Sequence, residues 1–301
     1  MATYTIRDLE KLSGIKAHTI RIWEKRYGLI EPQRSSTNIR EYCDNDLKRL
    51  LNVSMLHKHG FKISKIAKLS QKEIAEKISH LLQYSGDTDS QVESLSIAML
   101  DLDEEKFEKI LSRIIIQMGF EDAVMKVLYP FFRRIGVMWQ TGTVNPAQEH
   151  FVSNLVRQKL IVALDSQLND LNANAKKFLL FLPENEMHEI GLLFFAYLLK
   201  RRGHKIIYLG QSLPVESIVE ILQMRPVDYL ITSIVTTMYT ADVNEYVKDM
   251  AKTFADKIIL VSGEQIRYLD TRDIPSNVKL IASPVEFIHE IDLLTKSHAL
   301  S

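Results

Sequence analysis

The feature that most constrains the fold is a change of hydrophobic pattern near residue 176. Beyond it, five short apolar runs of strand length alternate with segments of helical length. These runs are Phe178–Leu182, Ile206–Leu209, Tyr229–Val235, Ile258–Val261 and Val278–Ala282. Strands that alternate with helices form βαβ units, because a parallel neighbour is reached only through a crossover. We therefore predict a flavodoxin-like (Rossmann-like) five-stranded parallel sheet over residues 176–301.

The stretch before this point has helical rather than strand-like periodicity. We predict a four-helix bundle over residues 91–172, within a multidomain protein of α and α/β classes. Its helices are expected to start near Val92, Asp103, Glu121 and Asn145. Turn-like stretches at 85–90 and 169–175 suggest boundaries, so we assign residues 1–72 to a head domain and 73–90 to a linker.

The head has the pattern of a winged helix-turn-helix. Thr5 and Asp8 outline a capping box for a first helix that Gly14 ends, and a second helix follows over residues 17–27. Ile20, Trp23 and Tyr27 are spaced to face the core. Its remaining polar and basic side chains point outward: His18, Thr19, Arg21, Lys25 and Arg26. Such a helix suits a DNA major groove, and a solvated basic face is the alternative.

Charge is distributed unevenly along the chain. The net charge of the whole chain is zero, but residues 1–70 carry +7 and the remainder −7. A basic head on an acidic body favours a nucleic-acid-binding segment joined to a part with another task, because cations neutralise phosphates and release counterions.

Three motifs in order strengthen the DNA-binding interpretation. They are Arg21-x-Trp23-Glu24, then Gly28-Leu-Ile-x-Pro-x-Arg34, then Arg40-x-Tyr42. Residues 4 to about 70 thereby resemble the N-terminal domain of the MerR family of transcription regulators. The resemblance implies that Arg21, Arg34, Arg40 and Tyr42 contact phosphates and that His18 and Thr19 lie nearer base edges. It also implies a homo-oligomer, a dimer or tetramer, on double-stranded DNA with two-fold-related half-sites.

Cysteine usage and hydropathy exclude several classes. The single cysteine, Cys43, cannot form an internal disulfide or a thiolate metal cluster, unlike the metal-sensing MerR relatives. The first thirty residues lack an apolar signal segment, and the longest apolar run, 190–199, is about half the length that spans a bilayer. We therefore expect a bacterial cytoplasmic protein at the nucleoid, without a membrane partner.

The first strand is followed directly by residues suited to hold a metal. In Glu186-x-His188-x-x-Gly191 a carboxylate and an imidazole converge where a strand leads into a helix. An imidazole can ligate a metal through one nitrogen while the other donates to a carboxylate. Ligands of open parallel sheets bind at this carboxyl edge, although a helix-capping or surface histidine would have the same local pattern.

The spacing to later residues extends this motif. After Gly191 come 41 residues, Ser233-x-Val235, 26 further residues and Ser262-Gly263. This order resembles the Asp-x-His-x-x-Gly, Ser-x-Leu and Gly-Gly signature of cobalamin-binding domains, with Glu, Val and Ser as departures. The resemblance implies that His188 is the lower axial cobalt ligand and that the dimethylbenzimidazole tail lies beside Ser233 and Gly263.

The predicted bundle carries a further pattern. Trp139 precedes Glu149-His150 by ten residues, and residues 145–148 read as a helix start. A tryptophan beside a helix start is usually part of a core. With the head and the third domain, however, the order resembles light-sensing cobalamin-dependent repressors. That resemblance implies that Trp139, Glu149 and His150 cover the upper face of adenosylcobalamin, while Gln140 stands where some members have a cobalt-binding histidine.

Two other functions remain open at this point. The third domain could bind no cobalamin and serve oligomerisation or another ligand, an alternative that Ser262 and Gln140 favour. A methyl-carrying enzyme would need a substrate domain, commonly a barrel of about 250 residues. The head already occupies the remaining residues, so we expect a transcription regulator, a repressor, rather than an enzyme.

Overall fold

The computed structural model describes residues 4–34, 39–70, 72–74, 76–77, 88–140, 144–167, 175–236 and 243–296. These residues form two compact units, 1–155 and 156–301, which are described separately below. The boundary between the units falls inside one long helix. The domain limits expected from the sequence stay a prediction, and the linker residues 78–87 and most of the turn at 169–175 lie outside the described residues.

The first unit begins with the helix-turn-helix. Its elements are α1 (Ile6–Ser13), α2 (Ala17–Tyr27), the hairpin of β1 (Gln33–Arg34) and β2 (Arg40–Glu41), α3 (Asp44–Lys58) and α4 (Ile63–Ile66). The capping box expected at the start of α1 is present, since Thr5 N–H donates to Asp8 and Asp8 N–H donates to Thr5 Oγ1. Gly14 ends α1 with φ of 71°, a conformation that favours glycine.

Helices fill the rest of the first unit. They are α5 (Thr88–Leu100), α6 (Glu104–Met118), α7 (Phe120–Ala123) with the π-helical turn Val124–Leu128, α8 (Tyr129–Gln140) and α9 (Pro146–Asp165). α5 is buried from residue 90 to residue 100, which requires neighbours on all sides. Asn145 and Gln148 form the expected start of α9: Asn145 Oδ1 accepts from Ala147 N–H, and Gln148 Oε1 accepts from Asn145 N–H.

The second unit is a doubly wound α/β domain. Its strands and helices alternate as β3 (Lys177–Pro183), α10 (Ile190–Arg201), β4 (Lys205–Leu213), α11 (Val215–Met224), β5 (Tyr229–Ser233), α12 (Val243–Thr253), β6 (Ile258–Ser262), β7 (Val278–Ile281) and α13 (Pro284–Lys296). Two 3₁₀ turns, Glu264–Tyr268 and Thr271–Asp273, lie between β6 and β7. The five strands are parallel in the order β4-β3-β5-β6-β7, which confirms the flavodoxin-like prediction.

The sheet order determines where a ligand can bind. The chain leaves β3 toward β4 on one side and returns to β5 on the other, so the crevice of the fold lies at the carboxyl ends of β3 and β5. β3 is buried from Phe178 to Pro183, and β5 is buried along its whole length. This apolar centre holds the strand ends rigidly, and the loop after β3 carries the expected metal-binding residues.

Candidate functional site

His188 and Glu186 meet in the loop between β3 and α10. His188 Nδ1 lies 2.7 Å from Glu186 Oε1, and the His188 N–H donates to the same oxygen at 3.0 Å. The His188 side chain is 52% exposed, whereas that of Glu186 is 3% exposed. Because the carboxylate engages Nδ1, Nε2 is the nitrogen through which this imidazole would ligate a metal.

Glu186 also holds the loop onto the end of β5. Its Oε2 accepts hydrogen bonds from Val235 N–H at 2.8 Å, Thr236 N–H at 2.8 Å and Thr236 Oγ1 at 3.0 Å. Burial by itself raises the pKa of this carboxyl, but the hydrogen bonds from His188, Thr236 and Val235 outweigh it and lower the pKa to about 2. The glutamate is therefore ionised at neutral pH and fixes the imidazole against the sheet.

The later parts of the expected cobalamin signature lie on the neighbouring strand ends. Ser233 ends β5 and pairs in register with Ser262, the last residue of β6. Ser233 is buried, Val235 is half-buried, and Ser262 Oγ donates to the Ile281 carbonyl at 2.9 Å. The extra hydroxyl that Ser262 has relative to glycine is thus held by β7.

Two glycines of the signature have different environments. Gly263 has φ of 106°, and a Cβ there would lie 2.1 Å from the Ile234 carbonyl oxygen, so the fold itself requires glycine. A Cβ at Gly191, on the exposed first turn of α10, would meet no described atom within 4 Å. The surrounding protein therefore gives no steric reason for glycine at position 191.

A second buried carboxylate adjoins His188 and was not anticipated from the sequence. Glu189 is 5% exposed; its Oε1 accepts from Arg157 Nε at 2.5 Å and its Oε2 from the Tyr208 hydroxyl at 2.7 Å. Burial raises the pKa of Tyr208, and the hydrogen bond to Glu189 raises it further. An acidic residue directly after the histidine was the only local signal, because its partners lie on α9 and β4.

The residues expected above the cofactor lie in the first unit. Trp139 and Gln140 belong to the last turn of α8, and nothing is described of their side chains. Glu149 and His150 lie near the start of α9, and Glu149 Oε1 accepts from Ser153 Oγ at 2.6 Å. His150 is exposed, with Nε2 3.9 Å from Glu149 Oε2. Residues 141–143, which follow α8, lie outside the described residues.

The head presents the exposed basic surface that the sequence indicated. Ile20 and Trp23 of α2 are buried, which orients the opposite side of this helix outward. The exposed side chains are those of His18, Arg21, Lys25 and Arg26 on α2 and Arg34 on β1, and Thr19 is half-buried. Ile22 is 52% exposed among these cations. Such a face can contact phosphates and an apolar base edge together.

Glu24 joins the wing to the second helix, and this corrects the expectation for Tyr42. Arg40 Nε donates to Glu24 Oε1 at 3.0 Å, and the Tyr42 hydroxyl donates to Glu24 Oε2 at 3.1 Å. Tyr42 is only 1% exposed, so in this arrangement it supports Glu24 rather than reaching a phosphate. Burial, followed by the charge of Glu24, raises the pKa of Tyr42. Arg40 remains partly exposed at the edge of the surface.

Comparison with known proteins identifies the family. Residues 4–73 match the MerR HTH family regulatory proteins, and residues 91–163 match a B12 binding domain. The HTH-type transcriptional repressor CarH of Myxococcus xanthus is 31% identical over 74% of this chain and 76% of its own length. The chain belongs to the CarH family of MerR-type transcriptional repressors.

Further comparisons support the family assignment. The repressor CarA of Myxococcus xanthus is 27% identical over 87% of this chain and 86% of its own length. The monomethylamine corrinoid protein of Methanosarcina barkeri, at 13% identity and a TM-score of 0.56, covers 70% of this chain and all of its own. That likeness concerns the fold alone. CarH family membership makes this chain a DNA-binding transcription regulator with a B12-binding domain.

Across the described ranges, no group of three or more His, Cys, Asp or Glu side chains is arranged to hold a metal ion. Of the helices that the structure describes, none combines the length and apolar character needed to cross a membrane.

Proposed function

We propose that this member of the CarH family is a repressor whose binding to DNA depends on adenosylcobalamin held through His188. The proposal rests above all on the Glu186–His188 pair at the crevice of the sheet. A half-exposed imidazole oriented by a buried, ionised carboxylate is the arrangement that metal-ligating histidines adopt. The hydrogen bonds from Val235 and Thr236 to Glu186 keep this arrangement formed in the protein by itself.

We propose that the neighbouring residues hold the corrin and its tail. Gly191 leaves open space on the turn after His188. Ser233 ends β5, and Gly263 directly follows Ser262, the last residue of the adjacent strand β6. We propose that the tail lies beside Ser233 and Gly263, and that the hydroxyl of Ser262 does not obstruct it because Ile281 holds that hydroxyl. When bound, adenosylcobalamin supplies a cobalt–carbon bond that light can break.

We further propose that Trp139, Glu149 and His150 contact the upper face of the cofactor, as the family resemblance implies. Glu149 and His150 are neighbours near the start of α9, so one helix would present both side chains. Gln140 follows Trp139, and a side-chain amide is a poor ligand for cobalt. His188 is therefore proposed as the single protein ligand to the metal.

For DNA, we propose a homo-oligomer that binds two-fold-related half-sites through the basic surface of the head. Arg21, Arg34 and Arg40 are the proposed phosphate contacts, whereas His18 and Thr19 are proposed to lie closer to base edges. Lys25 and Arg26, exposed in the last turn of α2, add positive charge beside them. These residues explain binding to DNA but do not select the operator sequence.

The proposed cofactor role is tested by reconstituting the purified protein with adenosylcobalamin in the dark and recording its absorption after gel filtration. We expect a retained chromophore in the parent and in His289→Ala, an exposed histidine of α13 used as the matched control, and its loss in His188→Ala. Electron paramagnetic resonance of the cob(II)alamin form would show nitrogen splitting that changes when the histidines carry ¹⁵N. A colourless parent protein would refute the proposal and favour a scaffold without cobalamin.

A further inference from the structure

Two buried carboxylates flank His188 and connect it to different parts of the second unit. Glu186 bonds the loop to the end of β5, as described above. Glu189 bonds it to α9 through Arg157 and to β4 through Tyr208. The loop that carries the imidazole is therefore held from two sides by charged or polar contacts.

The ion pair between Glu189 and Arg157 stabilises the buried carboxylate. Glu189 is almost fully buried, and a buried carboxylate is costly unless charged or polar donors surround it. Arg157 provides the positive charge at 2.5 Å, whereas Tyr208 provides only a neutral hydroxyl. Loss of Arg157 would leave the carboxylate without this charge, so the loop would lose part of the interaction that holds it in place.

The backbone of Glu189 is also hydrogen-bonded to residues before and after His188. Its carbonyl accepts from Leu193 N–H at 2.8 Å, which starts α10, and its own N–H donates to the Met187 carbonyl at 3.0 Å. A displacement of the Glu189 side chain is thus transmitted to the residues on both sides of the imidazole.

Arg157 lies on the helix that also carries His150. The two residues are seven positions apart in α9, about two helical turns, and so share one face of that helix. We propose that Arg157 is a positioning residue that makes the placement of His188 depend on α9, through Glu189. This inference rests on the proposed function in one respect: the coupling would serve cobalamin binding. The contacts that carry the coupling are formed without the cofactor.

The coupling is tested first in the cofactor-free protein by amide hydrogen exchange. The amides of Glu186, His188 and Glu189 are hydrogen-bonded, so their exchange reports opening of the loop. We expect Arg157→Gln to raise their exchange rates about tenfold and Arg157→Lys to restore most of the protection, since the charge returns. Arg201→Gln is the matched control, because Arg201 donates to the Tyr197 hydroxyl on its own helix at 2.9 Å.

The second measurement uses the cofactor. We expect Arg157→Gln and Glu189→Gln each to weaken hydroxocobalamin binding about tenfold, and the double variant to be no weaker than either alone, since both remove the same contact. Additive losses would show that Arg157 acts independently of Glu189 and would overturn the inference.

The outcomes separate this inference from the proposed function. If the parent protein retains no cobalamin, but the loop amides of Arg157→Gln exchange faster than those of the parent, the coupling is supported and the proposed cofactor role is refuted. If the parent protein binds cobalamin, and Arg157→Gln has the same loop exchange rates and the same cobalamin affinity as the parent, the coupling is overturned. The proposed function is then unaffected. Because Arg157 is partly exposed, its substitution tests the idea even if Glu189→Gln does not fold.

Discussion

Replacing Glu186 by glutamine tests how firmly the site is formed before any cofactor arrives. The ionised carboxylate accepts from His188, Val235 and Thr236, and all of these donors would face an amide with one acceptor oxygen. A pKa lowered from 4.5 to about 2 corresponds to about 3 kcal/mol of folding free energy at neutral pH. We therefore expect Glu186→Gln to destabilise the second unit by about 3 kcal/mol.

The sign of the pH dependence follows from the same pKa. A carboxyl whose pKa is lowered by folding stabilises the native state above its ordinary pKa of 4.5 and loses this contribution as the pH falls toward about 2. The parent should thus lose stability over this interval, and Glu186→Gln should lose correspondingly less.

The assay is hydrogen exchange of the β5 amides, which reports the opening free energy of the sheet. Glu184→Gln is the matched control, since Glu184 is an exposed glutamate of the same loop, and its effect should stay within about 0.5 kcal/mol. If Glu186→Gln opens no more easily than this control, or if its acid profile matches that of the parent, the reasoning about the carboxylate is wrong.

Two further predictions concern the glycines and the head. Gly263→Ala should destabilise the protein by more than about 3 kcal/mol, because the new Cβ would meet the Ile234 backbone at a positive φ. Gly191→Ala, within helix α10, should keep or slightly raise the melting temperature and weaken only cobalamin binding. A Gly263→Ala protein as stable as the parent would contradict the close approach of the backbones at Gly263 and Ile234. Arg21→Ala should reduce the salt dependence of DNA binding by about one in the log–log slope, measured by titration at several salt concentrations; an unchanged slope would exclude a phosphate contact.

Much of the fold could be predicted from local pattern. The positions of the five strands, the capping box at Thr5 and the start of α9 at Asn145 follow from short-range rules of periodicity and capping. The pairing of Glu186 with His188 could also be predicted from the sequence, because the two residues lie close together in one loop.

Other contacts depend on side chains far apart in the sequence. Glu24 accepts hydrogen bonds from both Arg40 and Tyr42. Tyr42, which the sequence predicts to contact a phosphate, therefore makes an internal hydrogen bond instead. Glu189 meets an arginine 32 residues before it, and nothing in the local sequence of either residue indicates the other.

Local sequence thus accounts for which elements form and which chemistry is available, since hydrophobic period, caps and residue types act over a few residues. The partner of each carboxylate, in contrast, is established only when the chain has packed. It depends on which buried groups come within hydrogen-bonding distance, because each buried charge must find its partner among whatever elements surround it.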